Sequence, residues 1–269
     1  MNDNGNKADD RNYAKGLPHG VALTWGLIPE PKRGPKREMS IPEIVRTAVE
    51  LADKDGLAAV SMNRVAGALG YTAMSLYRYI PSKDDLLLLM QEAICDIPLP
   101  EEQDPEDWRG MMRTFVWSTV KVYKEHPWFA DLPIYGAPIT PNSLRFVDWA
   151  LRGLQNFPIS GYAKMSIILL LSSYARACGI LQRDMDRALN SGTSLGEFSG
   201  YSYSTALKEL VTPERFPYLH PLVMSGEYTG EDEADSDVGN DIEFGLERIL
   251  DGVELYLTSA TKAKRSESR

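Results

Sequence analysis

The sequence predicts an all-α protein, an N-terminal three-helix unit followed by a larger helical unit, on three observations. Apolar residues recur at helical spacing in segments that open on capping residues and close on glycine or proline. Two of these segments, within Ser61–Lys83, are short and joined by a glycine turn. A third, around Met165–Leu181, is too apolar for a surface helix and must be central or shared between subunits.

Composition bounds the answer. A chain of 269 residues, 43% hydrophobic and 25% charged, suits one large or two moderate globular domains with ample core. The two cysteines, Cys95 and Cys178, stand in no metal-ligand spacing, so no disulfide scaffold, metal site or cofactor is expected, and a reducing cytoplasm suits them. No apolar run reaches bilayer-crossing length, and MNDNGNKADD holds no apolar signal segment, so no membrane contact is expected. The net charge of −9 does not exclude a polyanion partner, because its acidic excess lies mainly in the C-terminal two-thirds, above all in Glu227–Asp241.

Residues 1–20 are polar and unpatterned, and disorder is expected there; residues 21–31 carry apolar residues without helical or strand period. Lys32, Arg33, Lys36 and Arg37 flank Gly34-Pro35 and make a flexible basic arm, residues 1–38 in all. Ser40 and Glu43 form a capping box for a helix that buries Ile41, Ile44, Val45, Ala48, Leu51 and Ala52 and ends at Gly56. Ser61 caps the next helix, with Met62, Val65, Ala66 and Leu69 inward and Gly70 as its stop. Thr72 then caps a second short helix, with Leu76 and Ile80 inward and Pro81 ending it. Two short helices joined by a glycine turn are a helix-turn-helix, a pairing that ordinary helical proteins also use. Its outward positions, Thr72, Ala73, Met74, Ser75, Tyr77, Arg78 and Tyr79, are small, hydroxylated, aromatic or cationic, and none is acidic. That chemistry suits a helix in the major groove of DNA. Ser61, Asn63, Arg64, Tyr71 and Lys83 flank it and complete the candidate DNA-contact set, with the basic arm reaching the minor groove.

The stretch GALGYTAMSLYRYIPSKDDLLLLM resembles the DNA-binding domain of the TetR family of bacterial transcription regulators. The pattern residues are Leu69-Gly70, Leu76-Tyr77, Ile80 and Lys83, and the likeness covers about residues 40–96. One departure is Tyr79, where the family often has His. A subset of these regulators has a leader similar to Trp25-Gly26 and Arg33-Gly34-Pro35-Lys36. The resemblance implies a homodimer on a palindromic operator, repression released by a small effector, and Lys83 on a phosphate beside a helix N-terminus.

From Ser82 another helix begins, apolar nearly all round through Leu86–Met90, so it is sandwiched between the first unit (39–97) and a second core (98–262). Pro98 and Pro100 mark the linker. Asp104-Pro105 reads as N-cap and first residue of a helix to about Glu125, broken by His126-Pro127. Thr140-Pro141 starts a helix with Leu144, Val147, Leu151 and Leu154 as core, and Ser160 opens the longest helix, to about Asp186. Residues 190–202 read as loop, 203–211 as a short helix and 212–240 as a long irregular stretch. Asn240–Glu243 caps the last helix, whose stripe Gly245, Ile249, Gly252 and Tyr256 is the candidate dimer surface; residues 263–269 are expected to fray. The segment FGLERILDGVE resembles the C-terminal helix of several TetR-like regulators.

Trp117, Trp128, Phe129, Tyr135, Phe146, Trp149 and Tyr174 exceed what a small helical core needs, and Arg176 is a cation on an apolar helix. Each aromatic alone reads as core; together with Arg176 they are the candidate pocket for a hydrophobic or aromatic small molecule. An enzyme is not expected, because His19, His126 and His220 fall in a tail, a helix break and a loop, with no phosphate loop or nucleophile elbow. A rival reading is a DNA-binding adaptor whose partner is a protein held at residues 212–240; a solid core without a cavity would favour it.

Overall fold

The computed structural model describes residues 16–28, 39–100, 104, 106–133, 137–190, 197–198, 201–226 and 238–267. The architecture is all-α, and the chain divides into two compact units, Met1–Arg176 and Ala177–Arg269.

The first unit opens with an element the sequence reading missed. Helix α1 (His19–Thr24) falls where disorder or unpatterned chain was expected, and Gly20, Val21 and Ala22 are buried. It packs on α5 (Lys83–Ile94) so closely that a Cβ at Gly20 would stand 2.7 Å from Asp85 Oδ1 and 3.2 Å from its Cα. The indole of Trp25 then donates to the carbonyl of Ile139 at 2.9 Å. Six helical residues give no readable periodicity; tertiary packing makes this helix.

Helix α2 (Ile41–Asp55) starts at Ser40, whose Oγ accepts the Glu43 amide, and buries Ile44, Val45, Ala48 and Ala52. Helix α3 (Met62–Ala68) starts at Ser61, whose Oγ accepts the Arg64 amide. It ends in a Schellman turn: Tyr71 N–H bonds Ala66 O at 2.8 Å, Gly70 N–H bonds Gly67 O at 3.0 Å, and Gly70 sits at φ +79°. Helix α4 is a single turn, Ala73–Leu76, and α5 begins at Ser82, whose Oγ accepts the Asp85 amide. Ile44, Val65, Leu76, Ile80, Leu86 and Met90 form one core, each with its side chain out of water. Burying each contributes roughly 1.5–3 kcal/mol.

Helix α6 (Trp108–Glu125) is capped by Asp107, not Asp104; Asp104 instead accepts the Glu106 amide in a turn just upstream. A 3₁₀ segment, Pro127–Asp131, follows His126. Asp53 of α2 accepts the Trp128 indole N–H at 2.6 Å and pairs with His126 Nδ1 at 2.8 Å. Trp128 is thus 1% exposed inside the N-terminal core. Helix α7 (Pro141–Arg152) is tied to α5 at its own N-terminus: Glu92 accepts the Asn142 amide, a carboxylate on the positive end of a helix. Arg145 and Asp96 pair at 2.7 Å beside it.

Helix α8 (Gly161–Asn190) runs four residues past its expected end. By length and composition its Gly161–Ala188 stretch could cross a bilayer, contrary to the expectation that no run would; a third of the most apolar window is buried.

In the second unit, Glu197–Phe198 pairs with Tyr201–Ser202 in a two-residue antiparallel ladder where only loop was expected. Helix α9 (Tyr203–Leu210) matches expectation, but α10 (Leu219–Ser225) interrupts the stretch read as irregular. Helix α11 spans Val238–Glu267, so it starts before the expected cap at Asn240 and continues to Glu267, into the stretch 263–269 expected to fray. Ile242, Leu246, Leu250, Val253 and Leu257 form its buried stripe.

Candidate functional site

The helix-turn-helix fixes α4 from within. Leu76 and Ile80 are fully buried, and Ala73, three residues before Leu76, packs partly against the same core. That leaves Met74 at 74% exposure and Tyr77 at 43%, with Thr72, Arg78 and Lys83 also open. Three positions read as outward are half-buried instead, Ala73, Ser75 and Tyr79, as is the flanking Tyr71. Ala73 turns in because it shares a face with Leu76, three residues on; beyond Leu76 the chain tightens, with Tyr79 N–H on Leu76 O at 2.9 Å beside Ile80 N–H on the same carbonyl at 3.1 Å. Thr72 makes no cap bond to an amide, and its hydroxyl faces that of Ser75 at 3.2 Å. On α3, Ser61 is occupied as N-cap, Asn63 is exposed, and Arg64 is ion-paired with Asp55 at 2.7 Å. Lys32, Arg33, Lys36 and Arg37 lie outside the described residues.

A cavity of about 350 Å³ opens within the first unit. Helix α5 contributes Leu88, Gln91 and Cys95; α6 contributes Phe115, Thr119 and Tyr123. Phe129 and Leu132 come from the segment after α6, Ser143, Phe146 and Val147 from α7, and Ser172, Ser173 and Arg176 from α8. Two stacked ring pairs stand in its wall, Phe115 on Phe146 at 4.6 Å and Tyr123 on Phe129 at 4.9 Å. Arg176 donates to Tyr123 Oη at 3.3 Å and to Ala130 O at 3.0 Å, with its guanidinium carbon 5.9 Å from the Tyr123 ring centre. Burial pushes the Tyr123 hydroxyl pKa up, against the pull of the neighbouring Arg176 charge. Burial likewise pushes the Cys95 thiol up to about 11, opposed by its hydrogen bond with Ser143 and assisted by the Glu92 charge.

Of the aromatic set read as pocket, the cavity takes Phe129 and Phe146, together with Arg176. Trp128 is not there, because its indole is spent on Asp53 in the N-terminal core. Trp149 is buried and stacked face to face on Phe146, behind the wall instead of in it. Trp117 and Tyr174 are half-buried and stand outside the lining, and Tyr135 lies outside the described residues. The reading missed Phe115, Thr119 and Tyr123, which lie four apart on one face of α6; that spacing was the available signal.

On α11, the stripe read as a dimer surface lies away from the buried stripe: Gly245 and Ile249 are half-buried, Gly252 and Tyr256 exposed. Phe244 and Leu255 are also exposed there, and α8 exposes Tyr162, Leu169, Leu170 and Leu181.

Residues 44–90 match the description "Bacterial regulatory proteins, tetR family", and residues 99–257 match "Tetracyclin repressor-like, C-terminal domain". The HTH-type transcriptional repressor DrrR1 of Streptomyces coeruleorubidus is 29% identical over 253 residues, 92% of this chain and 88% of that protein. An HTH-type transcriptional regulator of Saccharopolyspora erythraea is 36% identical over 117 residues, 43% of this chain and 49% of that one. Among solved structures, the fold is similar to Streptomyces coelicolor ActR in complex with actinorhodin, at a TM-score of 0.66 and 23% identity over 81% of this chain and 97% of that one. ActR in complex with (S)-DNPA gives a TM-score of 0.63 at 22% identity, over 82% and 98%. With both of its principal segments matched, the chain belongs to the TetR family of bacterial transcriptional regulators.

Proposed function

We propose that this regulator is a cytoplasmic homodimeric repressor that leaves a palindromic operator when a small hydrophobic or aromatic molecule enters the cavity. One observation carries the reading: α5 belongs to both sites. Its first residue, Lys83, is exposed beside α4, and further along Leu88, Gln91 and the C-cap Cys95 line the cavity. A helix is stiff, so a ligand pressing on Leu88 and Gln91 tilts the end that carries the helix-turn-helix. A ligand that prefers the tilted form shifts the population away from the DNA-competent one.

In this proposal Met74, Ser75, Tyr77 and Arg78 face the major groove, and Lys83 takes a phosphate. Residues 39–97 are the DNA-binding domain and 98–262 the ligand-binding and dimerisation domain. The exposed apolar residues of α8 and α11, with Gly245, Ile249, Gly252 and Tyr256, pair two copies in a four-helix bundle, which sets the spacing of the two α4 helices. The DrrR1 relative is itself named a repressor, and ActR is similar to this chain while holding actinorhodin or (S)-DNPA. A cavity of about 350 Å³ supports the small-molecule reading over the protein-partner adaptor, which calls for a solid core.

The test is Gln91→Trp, which puts bulk into the cavity from α5 and imitates a bound ligand. Operator affinity, read by fluorescence anisotropy, falls at least tenfold while the variant remains dimeric and folded by circular dichroism. Unchanged affinity in a folded dimer contradicts the coupling.

A further inference from the structure

We propose that the cavity selects an anionic aromatic ligand, a ring system bearing a carboxylate or sulfonate, with the acid group received by Arg176. The proposal rests on the reading of the cavity as the effector site and adds the chemical class of the effector.

The first argument is charge. Among the described lining residues Arg176 is the one with a permanent charge, and none is Asp, Glu, Lys or His. Cys95 and Tyr123 carry no charge at neutral pH, since their ordinary values of 9.0 and 10.0 lie above it and burial raises both. A ligand inside therefore touches one positive charge and no negative one; Glu92, whose charge reaches Cys95, stands outside the lining with its carboxylate on the Asn142 amide.

The second argument is that this arginine lacks what four other arginines have. Arg64, Arg145, Arg183 and Arg248 each sit within 3 Å of an aspartate oxygen. Arg176 has a tyrosine hydroxyl, backbone carbonyls and a ring face, and among the described residues no carboxylate within ion-pair reach. Those neutral contacts aim the guanidinium without neutralising it. A half-buried charge so held gains most from a counter-ion that arrives with its own planar acceptor pair.

The third argument is the hydroxyls. Thr119, Ser172 and Ser173 each donate to a carbonyl of their own helix at 2.8 Å, so each shows the cavity lone pairs. The walls thus offer one cationic donor and several acceptors. They match a ligand whose acid meets Arg176 and whose phenolic or amino hydrogens meet the serines, with its rings between the Phe115–Phe146 and Tyr123–Phe129 stacks.

The experiment uses two fluorescent probes with one skeleton: 1-anilinonaphthalene-8-sulfonate and N-phenyl-1-naphthylamine, which lacks the sulfonate. Each is titrated into the purified full chain, and the cavity signal is the part lost in the filled variant Val147→Trp. The wild type prefers the sulfonate by at least about tenfold, the scale of one charge-assisted contact. Arg176→Gln removes that preference by weakening the sulfonate alone, and Arg176→Lys restores part of it. Ser173→Asp, which keeps Arg176 and adds a carboxylate to the wall, also removes the preference, so the result does not hang on how one variant folds. Equal binding of both probes by the wild type, or a preference that survives Arg176→Gln, overturns the anion assignment and leaves the cavity reading standing. If neither probe gives a signal that Val147→Trp removes, the cavity reading falls as well.

Discussion

The helix-turn-helix and the cavity share α5, yet they are built on opposite rules. In the first, inward side chains meet and close: Leu76, Ile80, Leu86 and Met90 leave no surface, and the side chains turned outward along and just past α4, Met74, Tyr77 and Arg78, include no acid. In the second, apolar side chains fail to meet, and about 350 Å³ remains between Phe115, Phe129, Phe146 and Val147. Close packing makes α3 and α4 a rigid body that can be placed on DNA. In the proposed function, incomplete packing further along α5 is where a ligand's binding energy acts on that body.

The largest expected effect lies at the hinge of this contrast. Trp128 is an aromatic from the cavity side of the sequence that was claimed by the N-terminal core, and Asp53 depends on it. Trp128→Ala should cost about 3–5 kcal/mol, from lost packing and the loss of one of Asp53's two partners, with His126 remaining, read as a large drop in the thermal midpoint. A drop of a degree or two would mean that Trp128 is not core, and the boundary between the two regions would need redrawing.

Next comes the basic arm. Because α1 packs on α5, deleting residues 1–38 would remove a structural helix along with the arm. Replacing Arg33 and Arg37 together with Ala isolates the charge. Operator affinity should fall for all sequences alike, and the slope of log affinity against log salt should flatten by about two phosphate contacts. An unchanged slope removes the arm from the interface.

Cys95 tests the cavity side by pH. Its thiol pKa in the fold is about 11 against an ordinary 9.0. A raised folded pKa means the native state keeps its proton longer than the unfolded chain does. Its contribution to stability is therefore whole below pH 9 and is lost as pH rises from 9 to 11. Alkylation of Cys95 by iodoacetamide should accordingly be slow at pH 8 and slower still with ligand bound. Rapid labelling at pH 8 would contradict the burial.

The smallest effect on stability belongs to the exposed face. Tyr77→Ala or Lys83→Ala should move the unfolding free energy by no more than about 0.5 kcal/mol while weakening binding to every DNA sequence. A loss confined to one operator would make either residue a base reader instead of a phosphate contact.

The legible parts of this fold were those decided locally. Ser40, Ser61 and Ser82 announced their helices, Gly70 its Schellman turn, and the Leu76–Ile80 pair its core. What stayed hidden depends on partners far along the chain. Helix α1 forms because Gly20 lets it press on Asp85, sixty-five positions away. Trp128 and Phe129 are neighbours of one character, and the partner that holds the first in the core, Asp53, lies 75 positions away. Helix starts slipped by a few residues wherever two acidic or amide caps competed, as with Asp104 and Asp107.

The most direct measurement is selection of bound duplexes from a random pool with the purified full chain. Two α4 helices presented by one dimer predict an enriched palindrome whose half-site centres lie about one helical turn, roughly 34–36 Å, or a multiple of it apart. Enrichment of nothing, or of a single unrepeated motif by a monomer, would contradict the account.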